Sequence, residues 1–160
     1  MSIEYSVTDE NEIDIVAPLW EKLNKHHEGI SRHFGYDYPD RKWVNRKKEL
    51  LREATDGKIR IDLVNDTSIN ELVGYCISSV KRDRIGEIDS IFVESDYRRN
   101  GIGDNLIRSA LRWLKEQAVN RIIVQVMVGN EESHPFYKKH GFLPRTTIMM
   151  KINENDTSGS

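Results

Sequence analysis

Cysteine is nearly absent from this chain. Cys76 stands alone among 160 residues, which rules out an intrachain disulfide and any fold that depends on one. Long apolar runs are missing too. None approaches the ~20 residues that cross a bilayer, and the opening MSIEYSVTDE lacks the basic and apolar regions of a secretory leader. The cytoplasm is the expected compartment. Neither sign of charge dominates: 24 Lys and Arg against 26 Asp and Glu leave a formal net charge of −2. That gives no basic field for nucleic acid or an anionic membrane, so neither is an expected partner. Metal-ligand spacing is lacking as well. His26, His27 and His33 cluster in sequence without a recognisable ligand pattern, and no metal is expected. With no internal repeat and no change of pattern along the chain, one domain over residues 1–152 is expected, followed by a tail over 153–160.

What the chain does contain is organised around residues 86–118, GEIDSIFVESDYRRNGIGDNLIRSALRWLKEQA. Ile88, Ile91 and Val93 lie in a β-branched and aromatic run that suits a buried strand. Ile102, Leu106, Ala110, Trp113 and Leu114 recur at helical spacing. Between strand and helix sits Arg98-Arg99-Asn100-Gly101-Ile102-Gly103. Glycine at 101 and 103 lets a ligand approach the backbone, and the first unpaired N–H groups of the helix would point at it, a geometry that suits a diphosphate. The turn is not a dinucleotide fingerprint, because the third small position is Leu106. It is not a Walker loop either, because Gly-Lys-Ser/Thr is absent.

Around this stretch, Ile3, Tyr5 and Val7 alternate as a half-buried strand would. Thr8 or Asp9 is placed to cap a helix carrying Ile13, Val16, Trp20 and Leu23, with Pro18 marking where it begins or bends. A second helix is predicted from about residue 39 to 55, with Gly57 as its stop. Strands over 59–64 and 72–80 read as a hairpin leading antiparallel into the organising strand. After the long helix, RIIVQVMV at 121–128 is the most apolar strand and is predicted to be central and parallel, through a right-handed crossover. A short helix over 132–139 follows, and FLPRTTIMMKI is predicted to close the sheet.

The strand, Arg/Gly turn and helix closely resemble motif A of the GNAT family, the acetyl-coenzyme A-dependent N-acetyltransferases, whose Gln/Arg-x-x-Gly-x-Gly/Ala signature is filled by Arg98, Gly101 and Gly103. Residues 130–142, NEESHPFYKKHGF, resemble the family's Asn-…-Tyr-x-Lys-x-Gly-Phe element. The resemblance implies an α+β fold, with a mixed, mostly antiparallel sheet of six to seven strands, about four helices and the order β-α-α-β-β-β-α-β-α-β. It implies acetyl-coenzyme A as co-substrate, held by the turn (Arg98, Arg99, Asn100, Gly101, Ile102, Gly103, Asp104), by backbone groups of Ile91, Phe92 and Val93 where a bulge splays the strand, and by Asn130 and Tyr137.

The activity it implies is direct transfer of acetyl to a primary amine of a small molecule, peptide or protein. An ammonium has no lone pair, so a base must take a proton. Glu87, with Asp89 in reserve on the same strand face, is the expected base. Its alternative is a strand-end carboxylate paired with Arg82 or Arg84. Tyr137 would lie near the thioester sulfur and serve the departing thiolate; otherwise it packs its helix against the sheet. The loop with His26, His27 and His33 is expected to wall the acceptor side, the basic run 41–52 to be a solvated helix face, and Cys76 to be a buried core thiol. A homodimer is left open. A contrasting reading, a domain of this fold that binds acyl-coenzyme A as a sensor or interaction module, has no need of Glu87 or Tyr137.

Overall fold

Asp9 starts the first helical segment, its side chain accepting the Asn11 N–H at 2.9 Å. In this computed structural model, which describes residues 1–153, strand β1 (Ile3–Thr8) leads through a 3-10 stretch (Glu10–Val16) into helix α1 (Ala17–Ile30). Pro18 lies in the first turn of α1. Its missing N–H would be unpaired there in any case, so the helix starts at the proline and is not bent by it. Helix α2 (Trp43–Glu53) is shorter at both ends than predicted. Strand β2 (Ala54–Asp66) takes over at once, and Gly57 sits with φ +65° in a register irregularity between Ala54 and Ile59. Strands β3 (Glu71–Lys81) and β4 (Ile85–Val93) follow. Then come helix α3 (Ile102–Glu116), strand β5 (Arg121–Val124) and helix α4 (His134–Lys139).

The sheet runs β1-β2-β3-β4-β5, antiparallel except for the parallel β4–β5 pair. The α+β class and the parallel crossover are as expected, but the described residues form five strands where six to seven were predicted. RIIVQVMV pairs only over its first half and lies at the sheet edge, not its centre. The predicted closing strand is not formed: residues 142–153 carry no regular structure. Residues 154–160, most of the expected tail, lie outside the described residues.

Two cores sandwich the sheet. On one face Ile13, Val16, Leu19, Trp20 and Leu50 pack on Ile61, Leu63, Tyr75, Ile77 and Phe92. On the other, Ile102, Leu106, Ile107, Ala110 and Leu114 of α3 bury the stripe read from sequence against Val73, Cys76, Val80 and Ile88. Each fully buried Leu or Ile contributes about 2 kcal/mol, enough to fix the helix, and with it the Arg/Gly turn, against β4.

In β4 the register slips by one residue. Ile77 faces Ser90 and Ser78 faces Ile88, leaving Asp89 as the extra residue of a bulge. The bulge switches the strand's alternation. Before it, Ile88 joins the α3 core; after it, Ile91 and Val93 do, while Phe92 packs with α1 and Ser90 meets the Tyr75 hydroxyl at 2.7 Å.

Candidate active site

Beside that bulge β4 loses its parallel neighbour, since pairing with β5 ends at Ile88 and Val124. The gap opens into a cleft of about 240 Å³ whose lining includes Glu87, Asp89, Ile91, Asn130 and Tyr137. The catalytic candidates read from two distant motifs therefore meet in one cavity.

Neither carboxylate is solvated. The side chains of Glu87 and Asp89 are 6% and 0% exposed, and both reach Lys81 Nζ, Asp89 at 2.8 Å. Lys81 also holds Glu53 at 2.9 Å. Ser79 donates to Asp89 Oδ2 at 2.6 Å, and Gln125 donates to Glu87 Oε1 at 3.1 Å across the β4–β5 gap. Burial pushes the Asp89 carboxyl above the usual range, against the pull of Lys81. Burial opposes the charge on Lys81, but Asp89, Glu87 and Glu53 together outweigh it, and its pKa lies above the ordinary lysine value. The partner of Glu87 is thus Lys81, not Arg82 or Arg84; the Arg84 guanidinium is turned to Asn120 at 2.6 Å. The sequence reading missed Lys81. The signal was there in the short KRDRIG connection, which sets Ser79 and Lys81 of β3 opposite Glu87 and Ile85.

α1 and α2 form the opposite wall. Trp20, Leu23, Asn24 and His27 come from the first, and Arg46, Glu49 and Glu53 from the second. His27 alone of the three clustered histidines lines the cleft. Burial, then His26 and Arg41, lower its pKa to about 4, so it is neutral. The basic run is not wholly a solvated face: Arg46 donates to Glu49 at 2.7 Å and to the Asp89 carbonyl at 3.3 Å. Among the described residues, no group of three or more His, Cys, Asp or Glu could hold a metal ion. Cys76 is buried as expected, and its burial pushes the thiol pKa up.

The remaining candidates surround the far end of the gap. Glu94 N–H donates to Val73 O on β3. Backbone groups alternate sides along an antiparallel strand, so those of Ser90 and Phe92 also turn to β3, while those of Ile91 and Val93 turn to the open edge. Phe92 therefore offers the gap no backbone donor. Arg98 Nε donates to the Val93 carbonyl from that open side at 2.8 Å, and its guanidinium lies 5.6 Å from the Phe92 ring centre. Asn100 folds onto the carbonyls of Tyr97 and Arg98. Arg99 has φ +63°. Gly101 caps α3 with φ +77°, where a Cβ would meet nothing within 4 Å, and no side chain caps the helix. The N–H groups of Ile102, Gly103 and Asp104 are thereby left without intrahelical acceptors. A Cβ on Gly103 would touch the Phe136 ring at 3.4 Å, so this glycine also seats α4. Asp104 turns from the helix start to His140 at 2.7 Å and Lys139 at 2.8 Å, contacts that depress its pKa and neutralise its charge.

Tyr137 packs edge-on against Phe136 and Phe142. Burial raises its phenol pKa to about 12, so the hydroxyl keeps its proton at neutral pH.

The chain belongs to the acetyltransferase (GNAT) family, whose family model matches residues 20–142. It is 30% identical over 117 residues to an uncharacterized N-acetyltransferase of Methanocaldococcus jannaschii, covering 71% of this chain and 51% of the relative. It is 28% identical over 81 residues to human N-alpha-acetyltransferase 30, covering 51% of this chain and 22% of that protein. The chain thus spans about half, or less, of the relatives it matches. A GCN5-related N-acetyltransferase from Ralstonia eutropha shares the fold with a TM-score of 0.73 at 17% identity, over 94% of this chain and 99% of the other. AAC(6')-Iy in complex with a bisubstrate analog of coenzyme A superposes with a TM-score of 0.62 at 14% identity, over 96% and 99%. Among the described residues, no helix is long and apolar enough to cross a membrane.

Proposed function

We propose that this chain transfers the acetyl group of acetyl-coenzyme A directly to a primary amine. The observation that carries the reading is the convergence of Glu87, Asp89, Asn130 and Tyr137 on one cleft at the point where β4 parts from β5. The residues present fit the co-substrate: an uncapped α3 start with open space at Gly101, backbone groups of Ile91 and Val93 facing the gap, and Asn130 on its lip. Arg99 and the free end of Arg98 add positive charge beside the turn. Acetyl-coenzyme A would supply a thioester, whose carbonyl is open to attack and whose sulfur leaves as a thiolate.

The chain's own groups do the rest. Glu87 receives the proton of the amine, directly or through a water, at a carboxylate held in place by Lys81 and Gln125. Asp89, whose side chain is wholly shielded, fixes Lys81. The backbone N–H of Ile91 or Val93 can hold the oxygen on which charge develops, a contact of this kind being worth about 3 kcal/mol. Tyr137, protonated across the neutral range, gives its proton or a hydrogen bond to the sulfur.

A panel of small amines and peptide N-termini, assayed by thiol release, tests the reading. Turnover of at least one amine by the wild type, and its loss in the Glu87→Gln/Asp89→Asn double variant at unchanged coenzyme A affinity, is the expected result. Equal turnover by both proteins would leave this cleft without a catalytic role.

A further inference from the structure

Beyond α4 the chain makes one anchored contact, Phe142 N–H to the Tyr137 carbonyl, and then leaves the body. Residues 143–153 carry no helix, strand, turn or bend, and no hydrogen bond joins them to the other described residues. Their side chains are unlike those of a solvated tail. Leu143 is 77% exposed, Ile148 78% and Met149 92%, with Met150 and Ile152 also in solvent. Ile148, Met150 and Ile152 fall two apart, so in an extended chain they form one apolar face. Pro144 explains the departure: it confines Leu143 to extended conformations and cannot itself donate to a turn, so the segment runs straight out instead of folding back.

The same chain lacks a strand at its β5 edge. β5 ends the sheet, and its outer side has no neighbour. Ile122 and Val124 point into the α3 core yet stay half-exposed, while Ile123 on the other face is open to solvent. The core is unroofed at that border. The following residues, 125–127, line the cleft without strand pairing to steady them, although Gln125 holds Glu87.

We infer that two copies of this chain exchange their 143–152 segments, each adding as a strand to the β5 edge of the other. Each copy has one unpaired apolar strand former and one unpaired edge, so a reciprocal pair satisfies both and closes with two-fold symmetry. In the pair, the Ile148, Met150 and Ile152 face covers Ile122 and Val124, and the cleft wall at 125–127 gains sheet support from the second copy.

Sedimentation velocity on the full chain should give twice the chain mass of 18.6 kDa. The Ile148→Asp/Met150→Asp variant changes only exposed positions; it should sediment as a single chain with an unaltered far-ultraviolet spectrum. The route of the segment is read separately by an Ile123→Cys/Met149→Cys variant treated with a short bismaleimide, since native Cys76 is buried. A dimer-sized band on a denaturing gel supports exchange. A single-chain wild type, a variant with both Asp changes that remains a dimer, a crosslink confined within one chain, or no crosslink at all would each overturn it.

Discussion

Lys81 is the group on which the buried charges of the cleft depend, and its removal has a calculable effect. Its side chain is 18% exposed and it is the cation shared by Glu87, Asp89 and Glu53, so Lys81→Met keeps the stem but strands two shielded carboxylates. Removing one partner from a buried ion pair costs about 3–5 kcal/mol. With a urea m-value of about 2 kcal/mol per molar, the unfolding midpoint at pH 8 should fall by about 1.5–2.5 M. The pH dependence has a definite sign. Without Lys81 the folded-state pKa values of Glu87 and Asp89 rise further above their unfolded values of about 4, so the folded variant binds protons more tightly. Its stability is then greatest below pH ~4 and is lost as pH climbs through the folded values, so the deficit should be smaller at pH 5 than at pH 8. The intact Lys81 pair has the opposite window. Its raised pKa gives stability that is full below pH ~10.4 and lost only above it, so the wild type is a steady reference across this range. Urea titrations followed by tryptophan fluorescence at both pH values would decide. A midpoint within about 0.3 M of wild type at pH 8 would mean that solvent screens these charges and that the network is not holding Glu87 in place.

Glu87→Gln should leave coenzyme A affinity intact and lower kcat most at acid pH, with recovery as rising pH frees the amine unaided; an unaltered pH–rate profile would pass the role to Asp89 or to water. Tyr137→Phe should lower kcat by about 10²-fold at constant coenzyme A affinity. Because burial raises the phenol to about 12, the wild-type alkaline decline should begin above pH ~10, and a fully active variant would leave the ring as packing alone. Gly103→Asp puts bulk and negative charge at the start of α3, where Asp104 is already neutralised, and should weaken coenzyme A at least tenfold by calorimetry. Gly103→Ala, whose Cβ only touches Phe136, separates this from disturbed α4 packing, and unchanged affinity in a folded Asp variant would place the diphosphate elsewhere.

Local pattern carried the reading wherever one face of an element meets the core. The α3 stripe, the β3–β4 hairpin and the Arg/Gly turn were all legible because apolar period and turn chemistry are properties of neighbouring residues. What escaped is set by contacts between segments. RIIVQVMV reads as central from its composition, yet it is an edge strand because the segment expected beside it runs away from the sheet. Lys81 looked like one more loop-side cation until the hairpin register put it against the two carboxylates. For Phe92, residue type says nothing about which side its N–H takes. The bulge at Asp89 decides that, and no residue there announces a bulge.

That bulge makes β4 a strand of two phases. Up to Asp89 the odd-numbered residues serve the α1 side, and from Ser90 onward the even-numbered ones do. One inserted residue thus lets a single strand present carboxylates to the cleft at one end and an aromatic to the core at the other, while its opposite face stays aliphatic throughout. The two halves are locked in step. Shortening the chain by one residue anywhere between Asp89 and Val93 would not trim a loop but invert everything downstream, turning Phe92 into the crowded α3 layer and Ile91 and Val93 toward α1. Length in this strand is a more stringent variable than identity, and substitutions there should be tolerated where deletions are not.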